Sequence, residues 1–208
     1  MRVFISTICT FILVFLLPRL VSAQDTNLTA VKRAFEAAGL VKDVPLNFNP
    51  SVLLGVTYLS IKTGLKPLHA GIKMSPTETY RTPIFNVVGD PGAGPFVIAM
   101  IDPDAFSRAR PVISEVRHFL SGSYSLDRVS GLLEPSASFS ALTSYRYPRP
   151  FVNSGLHRQS IEFAEQTLIS PTSSPLNFNL TDFAAKTNLG APIGGTFMFM
   201  GPDPYPNA

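Results

Sequence analysis

Short apolar runs, separated by polar turns, dominate the chain from about residue 50 onwards. Nineteen prolines and fourteen glycines supply many residues of the kind that break helices and form turns. The runs are too short for the helices of a bundle and have the length of strands. They predict at least six strands: Val52–Tyr58, Ile84–Val88, Phe96–Ile101, Val116–Leu120, Leu156–Ala164 and Thr196–Met200.

Two segments follow helical spacing instead. Apolar residues at intervals of three or four predict a helix over 28–38, and Gly39 follows where that helix would end. A second short helix is expected over Asp182–Leu189, with Asn179 or Thr181 as its N-cap. Because helices and strands do not alternate regularly, a doubly wound parallel sheet is not expected. The pattern predicts a mostly β fold, an antiparallel β-sandwich with two or so short peripheral helices.

The first 23 residues have the organisation of a secretory signal peptide. One arginine precedes an apolar run of 15 residues from Val3 to Leu17, and the small residues of Val21–Ala23 predict cleavage before Gln24. A membrane anchor is the alternative, but the run is shorter than the roughly 20 residues that a spanning helix needs. We therefore expect residues 24–208 to form one secreted domain, located outside the cell or in the secretory pathway or vacuole.

Removal of the first segment changes the charge and the cysteine count. Without Arg2 and Arg19, 15 of the 17 Lys and Arg residues remain against 14 acidic residues, a net charge of +1. No general field then attracts nucleic acid or a membrane, so any anion binding must be local. The single cysteine, Cys9, lies in the removed segment, so a disulfide or a thiol nucleophile is not expected. No cofactor is indicated.

Two sequons follow the predicted cleavage site. They begin at Asn27 and Asn179, and both lie in polar stretches. If the chain is secreted, both asparagines are candidate glycan acceptors, although a chance match to this short pattern is equally compatible with the sequence.

An apolar strand runs directly into Asp102-Pro103-Asp104. Proline restricts the residue before it to extended conformations and cannot donate a hydrogen bond to a sheet. The strand must therefore end at this point and present Asp102 at its rim. A plain turn stabilised by the aspartate side chain would explain the segment equally well.

Two of the three histidines lie on predicted strands among apolar neighbours. Strict alternation puts His118 on the same face as Leu120 and turns Phe119 to the opposite face, while His157 shares a face with Ile161. Such residues are most often core histidines with satisfied hydrogen bonds. Since an unpaired buried polar group costs about 1–3 kcal/mol, both histidines need polar partners.

These segments together resemble the phosphatidylethanolamine-binding protein family. Residues 102–108, Asp-Pro-Asp-Ala-Phe-Ser-Arg, are similar to that family's first signature, with Phe106 in place of a proline, and Glu115–Phe119 follows at the family's interval. A proline-rich turn, Tyr145–Pro150, leads to Gly155–Arg158 and resembles the second signature, Gly-x-His-Arg. With weaker matches, the resemblance extends over roughly residues 28 to 200.

The resemblance implies one pocket for a small anion, such as phosphate, phosphoethanolamine or a phospholipid head group. The ligand-binding positions that it implies are Asp102, His118, His157, Tyr145, Pro150 and, where the family often has a tyrosine, Gln159. Structural roles are expected for the other motif residues, Asp104, Ser107, Arg108 and Arg158, including a buried pairing of the first with the last. Arg146 and Arg149 flank the proline turn, where they would either make the rim positive or remain solvated loop residues.

The resemblance also implies a non-enzymatic binding or regulatory function. Because the family includes a carboxypeptidase inhibitor, inhibition of a serine carboxypeptidase or another protease is the alternative, with Gln24–Leu28 as a candidate contact surface. A hydrolase is less well supported, since the chain has no Gly-x-Ser-x-Gly elbow and nothing in the pattern brings Ser107 to an imidazole. Asp102, His118 and His157 have the composition of a facial metal set, but the anion pocket explains them better.

Overall fold

The computed structural model describes residues 25–61, 64–138, 140–165 and 174–202. The predicted signal segment, residues 1–23, lies outside them. None of the helices in these ranges has the length and apolar character required to cross a membrane. The described elements are α1 (Leu28–Ala37), α2 (Leu40–Asp43), β1 (Leu53–Ser60), β2 (Gly64–Pro67), β3 (Ile72–Met74), a 3₁₀ turn (Pro76–Glu78), β4 (Ile84–Val88), β5 (Phe96–Asp102), β6 (Val116–Leu126), β7 (Leu133–Pro135), β8 (His157–Glu165), α3 (Leu180–Lys186) and β9 (Gly194–Met200).

The strands form two sheets. The smaller sheet has the order β2-β1-β4 and the larger has the order β3-β9-β8-β5-β6-β7. All described strand pairs are antiparallel except β3 with β9, which is parallel. The predicted mostly β fold with a few helices is therefore confirmed, and all six predicted strands are present.

The larger sheet is covered on both faces. On one face Phe96, Ile98 and Met100 of β5 pack against side chains of the smaller sheet, and on the other face Val97, Ala99 and Ile101 pack beneath α3. Every residue of β5 is buried for this reason. A strand that is covered on both sides reads as a continuous apolar run, as this segment does in the sequence. Its last residue, Asp102, is the first polar position.

The helices form a layer on one face of the larger sheet, and α1 closes one end of that layer. Asn27 is its N-cap and accepts a hydrogen bond from the Ala30 amide at 3.0 Å. The chain leaves the helix at Gly39, whose φ of +73° lies in the left-handed region that glycine adopts without strain. The buried face of the helix includes Phe35, which stacks on Phe48 with 4.1 Å between ring centroids.

α3 covers the other part of the same face. Asn179, rather than Thr181, is its N-cap and accepts a hydrogen bond from the Asp182 amide at 2.7 Å. The helix therefore begins at Leu180, two residues earlier than predicted, and it ends at Lys186. Capping explains this shift, because the cap side chain fixes which amides can enter the first turn.

A β-bulge in β6 overturns the alternation predicted around His118. Met100 pairs with Phe119, whereas the next residue of β5 pairs with Arg117, so His118 is an extra residue on β6. Beyond the bulge the faces exchange: Phe119 enters the core between the sheets and Leu120 lies in the core beneath α3. The prediction that Leu120 shares a face with His118 was wrong. Bulges redirect side chains in this way at the edges of sheets and next to functional sites.

Two glutamates are buried beneath α3. Glu115 accepts a hydrogen bond from the Leu180 amide at 2.9 Å, and Glu162 accepts one from the Ser160 hydroxyl at 3.0 Å. Within the described part of the chain, the second carboxylate oxygen of Glu162 has no hydrogen-bond partner. Burial raises the pKa of each glutamate to about 7, and for Glu162 the charge of Glu115 contributes a smaller part of this rise.

These two glutamates should make the fold less stable as the pH rises. In the unfolded chain a glutamate ionises near its ordinary pKa of about 4.3, whereas the folded chain holds it protonated up to about pH 7. The free energy of unfolding, measured with urea, should therefore be higher at pH 5 than at pH 8, by about 1–3 kcal/mol for each glutamate. Glu162→Gln should raise it at pH 8 and flatten the dependence, whereas Glu134→Gln, on an exposed residue, should not. An identical pH profile in wild type and Glu162→Gln would contradict this assignment.

Candidate functional site

A cavity of about 220 Å³ opens where the ends of β5, β6 and β8 meet. Its polar lining consists of Asp102, His118, Arg149 and His157, and the rest of its wall is apolar and includes Pro150. Residues far apart in the sequence are thus brought to one concavity. Four of the predicted ligand positions, Asp102, His118, Pro150 and His157, belong to it.

Asp102 and His157 form a buried pair. An Asp102 carboxylate oxygen lies 2.7 Å from Nδ1 of His157, and the other accepts the Asp104 amide at 2.8 Å. His157 Nε2 lies 3.0 Å from the Ser154 hydroxyl oxygen, which itself donates its proton to the Phe151 carbonyl at 2.7 Å. Since a hydroxyl has a single proton, Ser154 accepts from Nε2–H. Both ring nitrogens then donate, which suits an imidazolium paired with a carboxylate.

Ser154, His157 and Asp102 are connected in the order of a hydrolase triad. The hydroxyl proton of Ser154, however, does not point at His157, as catalysis would require. In a triad the serine donates to the imidazole, which removes its proton. Here the serine proton points at a carbonyl, and Ser154 is not part of the cavity lining. The arrangement positions His157 and does not activate the serine.

His118 has a different protonation state. Its Nδ1 lies 2.9 Å from the Arg146 carbonyl, which can only accept, so Nδ1 carries the proton and Nε2 is bare in the neutral ring. Desolvation lowers the pKa of His118, and this is only partly offset by the charge of Asp102 and the hydrogen bond to the carbonyl. At neutral pH the ring is therefore an acceptor through Nε2, and protonation in acid converts that nitrogen into a donor.

The second aspartate of the motif anchors the neighbouring residue of β8. The backbone amide of Arg158 and its Nε each donate to Asp104 at 2.8 Å, and Nη2 binds both Asp104 and Asp43. Nη1 donates to the Ala38 carbonyl at 2.8 Å, which Arg108 also contacts at 3.0 Å. Burial alone would lower the pKa of Arg158, but these carboxylate contacts outweigh it and raise the pKa.

This buried ion pair attaches the turn that follows β5 to strand β8 and to the end of α1. Removing one partner of a buried pair typically costs about 3–5 kcal/mol, because the other charge is left uncompensated. Ser107 has a local role in the same region: its hydroxyl accepts from the Arg110 amide at 3.2 Å in a tight turn. The motif residues around Asp102 therefore act by holding the rim of the cavity in place.

Two predicted ligand positions are not part of the cavity lining. The Tyr145 hydroxyl donates to the Thr79 carbonyl at 2.6 Å, and its ring packs beside Tyr58 and Phe119. Gln159 is fully buried between β5 and β9, and within the described residues neither of its amide atoms has a hydrogen-bond partner. A direct role of either side chain in ligand binding remains a prediction from the resemblance.

Sequence reasoning missed Ser154 and Phe151. Ser154 lies in a turn between Asn153 and Gly155, which have φ values of +67° and +83°, and this turn places its hydroxyl under the imidazole of His157. The signal was a serine three residues before a strand histidine, with a sequence favourable for a tight turn between them. Phe151 forms part of the cavity wall, which nothing in its local pattern indicated.

The cavity offers hydrogen-bond donors and positive charge to an anion. Both nitrogens of His157 bind protein groups and Asp102 balances its charge, so Arg149 and protonated His118 are the groups that contribute donors to an anion. Among the described residues, no three Asp, Glu, His or Cys side chains are grouped so that they could hold a metal ion. The arrangement is therefore suited to recognising an anionic group.

Comparison with known sequences shows that the chain is similar to proteins from plants. It is 26% identical over 162 residues to Protein FLOWERING LOCUS T of Arabidopsis thaliana, which covers 76% of this chain and 85% of that protein. It is 29% identical over 154 residues to CEN-like protein 4 of Nicotiana tabacum, covering 72% and 81% respectively. No protein-family model matches the chain.

Comparison with solved structures supports the fold. The crystal structure of carboxypeptidase Y inhibitor complexed with its cognate proteinase contains a chain that aligns with a TM-score of 0.72 at 20% identity, covering 85% of this chain and 97% of that one. A phosphatidylethanolamine-binding protein from Plasmodium vivax aligns with a TM-score of 0.65 at 18% identity, covering 82% and 97%.

Proposed function

Because the chain belongs to the phosphatidylethanolamine-binding protein family, we propose that it is a non-enzymatic binding or regulatory protein whose cavity accepts a small anion. The ligand class is phosphate, phosphoethanolamine or a phospholipid head group. The observation that supports the proposal is the convergence of Asp102, His118 and His157 on one cavity together with Arg149.

The charges of these residues suit either part of a phosphoethanolamine group, depending on the pH. Asp102 and His157 compensate each other, so the positive charge of Arg149 is the net charge that an anion meets. At neutral pH the bare Nε2 of His118 accepts a hydrogen bond, which suits an ammonium group. In acid the same nitrogen donates, which suits a phosphate oxygen.

Replacing either histidine should weaken anion binding. His118→Ala removes a donor, and His157→Ala leaves the negative charge of Asp102 uncompensated in the cavity wall. Each change should raise the Kd for inorganic phosphate at pH 5 at least about ten-fold, as measured by calorimetry, since a charge-assisted hydrogen bond contributes about 1.5–3 kcal/mol. His69→Ala, at the exposed third histidine, is the matched control.

The pH dependence tests the role of His118 separately. Dimethyl phosphate stays a monoanion between pH 5 and pH 8, so any change in its affinity reports on the protein. Because the lowered pKa of His118 delays protonation, binding should strengthen as the pH falls below about 6.5 and should not do so in His118→Ala. Equal phosphate affinity in wild type and both histidine variants would rule the proposal out.

Inhibition of a serine carboxypeptidase is the second candidate function, since the fold aligns with 97% of the chain of carboxypeptidase Y inhibitor. The candidate contact segment is Gln24–Leu28, and its described part begins at Asp25. Asp25 accepts hydrogen bonds from the Ala70 amide at 3.0 Å and the Thr196 hydroxyl at 3.3 Å. Asp25, just before α1, is thereby attached to the body of the protein, which favours a preformed inhibitory contact.

A titration tests this candidate directly. Purified mature protein should reduce the activity of a serine carboxypeptidase with a saturable, stoichiometric curve. Asp25→Ala should weaken the inhibition because it releases the anchored segment, while Asp182→Ala, at an exposed aspartate on α3, should not. Undiminished carboxypeptidase activity at a high excess of the protein would remove inhibition as a function.

Secretion and glycosylation complete the proposal. We infer them from the signal-like first 23 residues and from the two sequons, whose asparagines are exposed helix N-caps. Each asparagine caps its helix through Oδ1, which leaves the amide nitrogen as the atom that a glycan would occupy.

Expression of the full chain in a secreting eukaryotic host tests both inferences. The protein should appear in the medium beginning at Gln24, and a peptide N-glycosidase should lower its mass. Asn27→Gln and Asn179→Gln should each remove one increment of mass. Retention of residues 1–23, or a mass that the enzyme leaves unchanged, would contradict the corresponding inference.

A further inference from the structure

A narrow cleft lies between α3 and the larger sheet, on the face of the sheet that the helices cover. Side chains of β5 and β8 form its floor, and Leu180 and Ala184 of α3 form its roof. Leu189 is half-buried and Gly190 is exposed, so the cleft opens to solvent at the end of α3. The complete lining is Leu46, Val97, Ala99, Glu162, Leu180, Ala184, Leu189, Gly190 and Pro192, none of which lines the anion cavity.

Glu162 is the one polar side chain in this lining, and the other lining residues are apolar or glycine. It is only 7% exposed. One of its carboxylate oxygens accepts a hydrogen bond from the Ser160 hydroxyl at 3.0 Å, and the other has no hydrogen-bond partner among the described residues. Because a buried polar atom without a partner costs about 1–3 kcal/mol, a bound molecule that supplies a partner to this oxygen gains affinity.

The size of the cleft limits what can reach that oxygen. Its enclosed part has a volume of about 20 Å³, which holds one group of the size of a water molecule. A buried water needs two to four polar partners, and the lining side chains offer only Glu162. The polar end of a larger molecule, whose hydrocarbon part covers the apolar walls, therefore suits the cleft better than a single water.

The charges around Glu162 favour a positive group. After burial itself, the negative charge of Glu115 contributes to the raised pKa of Glu162. On the neighbouring strands β5 and β9, Glu162 is paired with Ala99 and Gly195, which carry no charge. A cation in the cleft would therefore face two buried carboxyl groups.

The other charged groups of this layer have partners of their own. Arg117 of β6 donates to the Thr143 hydroxyl at 2.6 Å and lies over the ring of Phe178. The charged residues of α3, Asp182 and Lys186, are exposed and pair with each other at 2.6 Å. The charge of Glu162 is thus available to a ligand.

We propose that the cleft beneath α3 binds a primary aliphatic amine, with the ammonium group on the unpartnered oxygen of Glu162 and the hydrocarbon chain along the apolar walls. An ammonium group has about the size of a water molecule and carries donors and a positive charge, which an ionised carboxylate attracts. The chain covers the side chains of α3 and β5 that the half-open cleft leaves accessible. Because the site shares no residue with the anion cavity, it does not rest on the proposed function.

Calorimetry with n-butylamine tests the proposal, since this amine stays protonated between pH 6 and pH 8. It should bind with a saturable curve at pH 8. With a pKa of about 7, the ionised fraction of Glu162 falls from about nine-tenths at pH 8 to about one-tenth at pH 6, so the Kd should rise about ten-fold. Binding at pH 6 should also release nearly one proton per amine, which buffers of different ionisation enthalpy report.

Two probes separate the contributions of charge and of hydrogen bonding. n-Butanol has the same chain without the charge, and tetramethylammonium has the charge without an N–H donor. Each should bind at least about ten-fold more weakly than n-butylamine at pH 8, because a charge-assisted hydrogen bond contributes about 1.5–3 kcal/mol.

Two variants test the assignment to the cleft. Glu162→Gln keeps the shape of the side chain but removes its charge, so it should weaken amine binding at pH 8 at least about ten-fold and abolish the pH dependence. Ala184→Leu fills the space beneath α3 and should weaken binding as strongly. The matched controls are Glu134→Gln and Ala185→Leu, at exposed positions on β7 and α3, and neither should change the Kd. Urea unfolding verifies that each variant is folded.

The anion cavity is the competing location for the amine, because the bare Nε2 of His118 can also accept from an ammonium group. Amine binding should therefore persist unchanged in His118→Ala. Its loss in that variant would assign the amine to the anion cavity and overturn the proposal. The proposal would also be overturned by unchanged binding in Glu162→Gln or in a folded Ala184→Leu protein, by equal affinity for n-butanol, or by the absence of saturable binding to n-butylamine.

Discussion

The pairing of two aspartates with two consecutive residues of β8 is the constraint on which the site depends. Asp102 binds His157 and Asp104 binds Arg158, and Pro103 ends strand β5 between the two carboxylates. Because consecutive strand residues point to opposite faces, one pair forms the wall of the cavity and the other holds the end of α1. Buried charges require such partners, so a change at any of the four residues affects both the stability and the shape of the site.

Buried carboxyl groups are neutralised in different ways on the two sides of the larger sheet: by a charged partner on one side and by protonation on the other. At the cavity, the carboxylate of Asp102 is compensated by an imidazole, and the charge left for a ligand is that of Arg149 on the rim. Beneath α3, Glu115 and Glu162 are buried among apolar side chains and hold their protons up to about pH 7. Glu115 begins the segment that leads through Val116 to His118, so the helical layer and the cavity wall share one strand.

Sequence patterns predicted the fold, because apolar runs and turn residues are local signals, whereas the grouping of Asp102, His118 and His157 followed from the family resemblance. The strand that ends at Asp102 and the cap at Asn179 are examples of such local signals. The bulge at His118 could not be predicted, because it depends on how β6 pairs with β5. The hydrogen bond from His157 to Ser154 depends on a turn of particular backbone geometry. The cleft beneath α3 depends on a helix and a sheet that meet only after folding.

A crystal structure of the protein soaked with phosphate tests the central claim most directly. The account predicts an anion in the cavity, within hydrogen-bond distance of Arg149 and of His118 Nε2 at acidic pH, with the contacts of Asp102 and Ser154 to His157 unchanged. An empty cavity, an anion bound elsewhere, or side chains of Asp102, His118 and His157 that do not share one concavity would contradict it.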